Sequence, residues 1–159
     1  MEQLLKPKVT LVFGRICSGK GSYMKDVHRL VVSDIVKQIV SSSNRDALQN
    51  SMHLDNRIAQ AIIYHILGLF DHDYPDHIVV DGIRQVSIVD RVLETFPYAE
   101  MIWLEVPVEE RKRRYENRKD AKDVQSFEIA DNKPIELECQ RIFDTFKDKL
   151  TIINNYGIN

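Results

Sequence analysis

The chain has 159 residues, 43% of them hydrophobic and 29% charged, and a formal net charge of −2. That length fits a single domain, 1–159, with enough core to need no staple, and the composition excludes a fibrous or low-complexity chain. The slight negative charge excludes a uniformly basic nucleic-acid binder, though not a local basic face. The two cysteines, Cys17 and Cys139, lie far apart and show no disulfide framework or metal-ligand spacing, so a reducing cytoplasm is the expected setting. No apolar run reaches membrane-spanning length, no membrane partner is expected, and Met1 to Lys8 lacks the apolar core of a signal segment.

In chain order, Val9 to Phe13 is a short apolar run ending at Gly14, which predicts a buried parallel strand. A short helix is expected over Ser22 to Val27 and a second strand over His28 to Val32. A helix from Asp34 to Val40 follows, with Asp34 as its N-cap and Ile35, Ile39 and Val40 on one side. Residues 54–70 carry Ile58, Ala61, Ile62, Ile66 and Leu69 at helical spacing. Ile78 to Val80 is a third strand, Gln85 to Phe96 a helix closed by Pro97, and Glu100 to Val106 a fourth strand. Pro107 opens a charged helix over Val108 to Arg118. A last helix, Ile135 to Lys147, precedes a fifth strand, Leu150 to Ile153. This alternation predicts an α/β fold: three layers, with a five-stranded parallel sheet between helices on both faces and right-handed crossovers.

The segment Gly14-Arg15-Ile16-Cys17-Ser18-Gly19-Lys20-Gly21-Ser22 satisfies G-x-x-x-x-G-K, with Gly21 where Ser or Thr is usual. A strand that ends in a glycine turn and passes into a helix converges backbone N–H groups on a phosphate, and the helix presents its positive pole. Lys20 adds a charge for the outer phosphates of ATP. The Ser22 hydroxyl is a candidate ligand for Mg²⁺. These nine residues are the expected nucleotide cradle.

Val31-Val32-Ser33-Asp34 closes the second predicted strand, and in parallel sheets ligands sit at the carboxyl ends of strands. Asp34 is then placed to orient or deprotonate an acceptor hydroxyl. A phosphate acceptor needs no such base, and a carboxylate would repel it. The alternative is a helix cap. Asp81 closes the third strand, as a carboxylate able to hold Mg²⁺ near the phosphates, or else a turn-starting residue. Gly82 permits close backbone approach, and Arg84 is a candidate contact to the acceptor. On the charged helix, Arg111, Arg114 and Arg118 share one face, where mutual repulsion calls for an anion, with triphosphate the obvious one; the alternative is a solvated face paired with Glu109, Glu110 and Glu116. Arg45 and Arg57 are candidate anion contacts on the acceptor side. His53 and Asp55 are polar contacts or caps, and Asp71-His72-Asp73 with His77 lacks a fixed ligand spacing.

The G-K-G-S ending resembles the nucleoside monophosphate kinase branch of P-loop proteins, as in adenylate kinase. It implies a kinase rather than a GTPase switch, and Asn117-Arg118-Lys119-Asp120 lacks the order of a guanine motif. Ser33-Asp34 is similar to the acceptor-site segment of dephospho-coenzyme A kinase and shikimate kinase. Val79-Val80-Asp81-Gly82-Ile83-Arg84 resembles a group related to dephospho-coenzyme A kinase and archaeal nucleotide kinases. That resemblance implies Asp81 in the Mg²⁺ shell and Arg84 on the acceptor. It also implies a short arginine-rich lid over about 107–123, with Arg114 and Arg118 as its catalytic pair, and an acceptor-side insertion over about 44–70. Phe127, Asp131 and Glu136 resemble an F-x-x-x-D-x-x-x-x-E pattern of this group, with Ala130 where the group carries arginine.

Taken with Arg45-Asp46-Ala47-Leu48-Gln49, these motifs resemble the kinases that phosphorylate 5-hydroxymethyluracil within phage DNA. This resemblance implies ATP and Mg²⁺ as cofactors, DNA carrying a modified pyrimidine as partner, and the cytoplasm of an infected bacterium as location. Arg15, Lys25, Lys37, Arg45, Arg57 and Arg84 are candidates for a DNA-facing surface. The alternatives are a deoxynucleoside monophosphate kinase, with arginines around a closed acceptor pocket, and a non-catalytic nucleotide-binding switch.

Overall fold

In the computed structural model, residues 8–40, 54–70, 76–118, 123 and 125–158 are described. Five strands, β1 (Lys8–Phe13), β2 (His28–Val31), β3 (His77–Asp81), β4 (Glu100–Glu105) and β5 (Leu150–Asn154), form one sheet in the order β2-β3-β1-β4-β5. All four pairings are parallel. The central strand β1 reads as a continuous apolar run because both of its faces are covered: Val9 to Phe13 are all fully buried. The helices are α1 (Val32–Val40), α2 (Asp55–Phe70), α3 (Val86–Thr95), α4 (Val108–Arg118), α5 (Phe127–Asp131) and α6 (Pro134–Phe146). Pro134 opens α6 at a position where its missing N–H costs nothing.

Alternation along the strands sorts the core. Val9, Leu11 and Phe13 of β1 lie beside Ile78 and Val80 of β3 and Met101 and Trp103 of β4. Helices α1, α2, α3 and α6 close over this face with Ile35, Ile62, Val89 and Ile142. Trp103 is fully buried there, edge-on to Phe143 at 5.3 Å. On the opposite face Val12, Val79, Ile102 and Leu104 are covered by Tyr23, Met24, Val27, Ile153 and Tyr156. Among the described residues no helix contributes to that second cluster.

Between β1 and β2 the chain departs from expectation. The expected helix over Ser22 to Val27 does not form. A single 3-10 turn, Lys20–Ser22, is followed by turns up to β2. A segment this short, with Gly19 and Gly21 at its head, cannot recover the cost of helix nucleation. The second difference is at α1, which starts directly after β2 at Val32. Asp34 therefore sits inside the first turn and is not the N-cap. Helix α2 buries Ile58, Ala59, Ile62 and Ile66 in the main core, so this part of the expected insertion is a core element. Residues 44–53 lie outside the described residues.

Candidate active site

A cleft of about 520 Å³ opens at the carboxyl ends of β1, β2 and β3, within the roughly 300–1,000 Å³ that hold small ligands. Its floor is Ile16 to Ser22. Val31 and Ser33 come from the β2–α1 junction, Asp81, Gly82 and Arg84 follow β3, and Arg114 and Arg118 come from α4. The cleft thus gathers residues from four separate stretches of sequence.

The loop is held in a specific shape. Gly19 has φ +95°, and a side chain there would bring its Cβ to 2.8 Å from Tyr156 Cδ1. Cys17, without that freedom, is also left-handed at φ +63°. A Cβ on Gly14 would lie 2.2 Å from Ser18 Oγ, so only glycine lets the loop close on itself. The Ser18 hydroxyl is buried with no hydrogen-bond partner, and the leading N–H groups of the 3-10 turn have no partner within it. Lys20 Nζ donates to Gly14 O at 2.8 Å and Arg15 O at 3.3 Å. Burial, and then the charge of Arg84, hold its pKa below the ordinary 10.5. A cation pressed toward neutrality among unmet polar groups suits a polyanion. The cradle therefore fits nucleotide phosphates, without the helix pole expected behind it.

Gly14 and Arg15 do not line the cleft. Arg15 turns beneath the loop, where Nη2 meets Asp131 Oδ1 at 2.9 Å and the Asp131 carbonyl, and Nη1 donates to Gln140 Oε1 at 3.3 Å. Asp131 also takes Arg111 Nη1 at 2.6 Å. The anion that answers Arg111 is thus Asp131, not a triphosphate, and Arg111 is buried away from the cleft. Arg114 and Arg118 do line it. Arg114 is already engaged: Nε with Glu110, Nη1 with Cys17 O at 3.2 Å and Nη2 with Tyr156 O at 2.6 Å. Arg118 Nη2 donates to Asp123 Oδ1 at 2.7 Å, and its guanidinium lies over the Tyr115 ring.

For Mg²⁺, Asp81 and Ser22 line the same cleft. Asp81 Oδ2 is 3.2 Å from Arg29 Nη1, and Ser22 Oγ lies 3.0 Å from Gly19 O and 3.2 Å from Tyr156 Oη. One carboxylate and one hydroxyl fit a metal that takes one or two protein ligands and completes its shell with phosphate oxygens and water. Among the described residues no cluster of three His, Cys, Asp or Glu side chains could hold a metal ion. His77 is in β3, bonded to Thr10 Oγ1 at 2.7 Å, and Asp55 accepts from Ser87 Oγ on α3.

The acceptor side differs from expectation. Arg84 lines the cleft, with Nη1 paired to Glu136 Oε2. Arg57 is exposed on α2 and is not part of the cleft wall. Asp34 is 66% exposed with an i,i+3 contact to Lys37 at 3.9 Å, and Ser33 lines the cleft in its place. Arg45, His53 and Asp71 to Asp73 lie outside the described residues. Of the basic residues considered for a DNA-facing surface, Lys25, Lys37 and Arg57 are exposed, whereas Arg15 and Arg84 turn inward.

Three residues in this architecture escaped the sequence reading. Arg29 gave a weak signal, a cation abutting the apolar run Leu30 to Val32. Glu136 was visible only as the end of a pattern. Tyr156, which packs on Gly19 and edge-on to Tyr23 at 5.6 Å, gave none.

No protein-family model matches the chain, and no curated protein matches it by sequence. Among solved structures it is similar to shikimate kinase from Bacteroides thetaiotaomicron, at TM-score 0.52 and 12% identity, over 93% of this chain and 86% of that one. At that identity the likeness speaks to architecture: the five-stranded parallel α/β fold of this chain matches the P-loop kinase fold of shikimate kinase.

Proposed function

We propose that this protein is an ATP-dependent phosphotransferase whose acceptor is a hydroxyl group. The observation that carries the reading is the single cleft in which Lys20 and the loop Ile16 to Ser22 face Ser33, Gly82 and Arg84 across the carboxyl ends of the strands. In the transfer, the bond from the γ-phosphorus to the β,γ-bridging oxygen breaks as the acceptor oxygen bonds to that phosphorus. ADP leaves and the acceptor proton is released. Lys20 and the loop N–H groups hold the transferring phosphate, and Arg84 and Arg118 border it. Mg²⁺, held by Asp81 and Ser22 with the nucleotide, would supply charge neutralisation.

Asp34 is assigned to orient the acceptor hydroxyl. It follows cleft-lining Ser33, and its contact with Lys37 is an exposed pair at 3.9 Å, which costs little to break. The best-supported acceptor is the hydroxymethyl group of 5-hydroxymethyluracil in DNA, on the strength of the motif resemblance. The base would have to be flipped into the cleft, and exposed Lys25, Lys37 and Arg57 are the candidates for contact with the backbone. A nucleoside monophosphate acceptor is the second reading, favoured by the position of Arg84 on the acceptor wall.

The test is transfer of γ-labelled phosphate from Mg²⁺-ATP to a 5-hydroxymethyluracil oligonucleotide, its thymine counterpart and a panel of nucleoside monophosphates. Label on the modified oligonucleotide alone is expected. Label on a monophosphate alone moves the acceptor to that class, and no label on any acceptor with no ATP turnover overturns the phosphotransferase.

A further inference from the structure

We infer that Glu136 is a positioning residue that couples the nucleotide loop to the acceptor-side arginine, an inference that rests on the phosphotransferase reading. Glu136 stands in the first turn of α6, is completely buried, and is outside the cleft wall. Its two carboxylate oxygens serve different sides of the site. Oε1 accepts the Ile16 N–H at 2.7 Å and lies 3.5 Å from Arg15 Nε, so it holds the nucleotide loop from below. Oε2 pairs with Arg84 Nη1, and Arg84 lines the acceptor side. One rigid planar group therefore fixes the distance between the loop that grips the phosphates and the guanidinium that borders the acceptor.

The surrounding charges match this role. Burial pushes the Glu136 carboxyl up, but Arg84, Lys20, the Ile16 N–H and Arg15 outweigh it and hold its pKa below the ordinary range. Cys139, packed one helical turn on, donates to Gly14 O at 3.6 Å and keeps its proton because burial pushes the thiol up. A carboxylate with only structural work could satisfy Arg15 alone. Glu136 instead spends one oxygen on each partner of the reaction, and a shift of the loop on binding nucleotide passes to Arg84 through a group that cannot bend. Misplacement by about 1 Å at a reacting centre can cost roughly 10²-fold in rate, which is the scale on which such a link acts.

The test is a double-mutant cycle with Glu136→Gln and Arg84→Met, read by two measurements on the folded proteins: affinity for a fluorescent ATP analogue, and the maximal transfer rate with Mg²⁺-ATP, using whichever acceptor the panel identifies, or water if none does. The glutamine amide oxygen can still accept the Ile16 N–H, so Glu136→Gln is expected to keep analogue affinity within about threefold while the transfer rate falls about 10- to 100-fold. Because Glu136 acts through Arg84, the double variant is expected to transfer within about twofold of Arg84→Met alone. Losses that multiply, an unchanged rate in Glu136→Gln, or equal losses of affinity and rate would overturn the coupling while leaving the phosphotransferase standing. A folded wild-type protein that neither binds the analogue nor turns over ATP overturns both.

Discussion

Arg29 Nη1 lies 3.2 Å from Asp81 Oδ2, so the carboxylate that closes β3 enters the cleft already paired from the neighbouring strand. Arg29 also donates to the Tyr23 carbonyl, in the irregular segment that replaces the expected helix. The pair is largely buried, at 15% and 11% side-chain exposure. Removing one member leaves a charge in low dielectric without compensation. Arg29→Met is therefore expected to destabilise the fold by about 3 kcal/mol, the lower end for breaking a buried pair, measured by urea unfolding. A change below about 0.5 kcal/mol, the range of ordinary surface substitutions, would show the pair to be incidental.

Lys20 must carry its proton to meet a phosphate, yet burial and Arg84 lower its pKa from 10.5. Nucleotide affinity should then fall as pH rises, starting below the ordinary lysine range. Bound phosphate favours the charged form, so binding in that alkaline window should take up protons. Calorimetry in buffers of different ionisation enthalpy would detect the uptake. Lys20→Met should remove both the pH dependence and the transfer, and retained transfer would sink the assignment of the loop.

Glu136 has a folded pKa below 4.5. A carboxylate of this kind contributes stability above its unfolded pKa, and that contribution is lost as pH falls through the folded value. Wild-type stability should decline as the medium is acidified below about pH 4.5 more steeply than that of Glu136→Gln, which has no proton to take up. Glu136→Ala should cost about 3–5 kcal/mol at neutral pH, since Arg84 and Arg15 would lose a fully buried partner. Thermal melts across pH would check both, and parallel curves for wild type and Glu136→Gln would refute the assignment.

Gly19→Ala places a side chain at φ +95° and its Cβ against the Tyr156 ring. A left-handed non-glycine residue costs about 1–2 kcal/mol before any clash, so a loss of that size or more is expected, with weaker nucleotide binding as Tyr156 is displaced. Tyr156→Ala in the same background should relieve the clash part and leave the backbone part. A Gly19→Ala protein as stable as wild type would mean that the loop relaxes freely.

Asp34→Asn is expected to leave stability within about 0.5 kcal/mol, because the side chain is exposed and its pairing with Lys37 is a surface contact. If Asp34 serves the acceptor hydroxyl, the transfer rate falls about 10²–10⁴-fold while ATP affinity holds. An unchanged rate would return Asp34 to the helix surface.

The sheet and the glycine-rich loop after its first strand were legible in the order of the residues. Strand runs such as Val9 to Phe13 and Ile78 to Val80 are apolar on both faces, which only a covered parallel strand explains, and a glycine-bracketed Lys20 after such a strand has few other uses. Helix α2 was legible from apolar spacing, because burial of one face dictates it. Which charges meet is set by packing between distant segments. Arg111, Arg114 and Arg118 share a helical face by spacing, but only packing against α5 hands Arg111 to Asp131 and leaves Arg114 and Arg118 at the cleft. Asp81 reads as an available carboxylate until β2 lies beside β3 and brings Arg29 within reach. Glu136 meets Ile16 from 120 residues away. Local periodicity carries information over a turn or two of chain, whereas the partner of a buried charge is chosen by the fold as a whole, through the cost of leaving that charge alone.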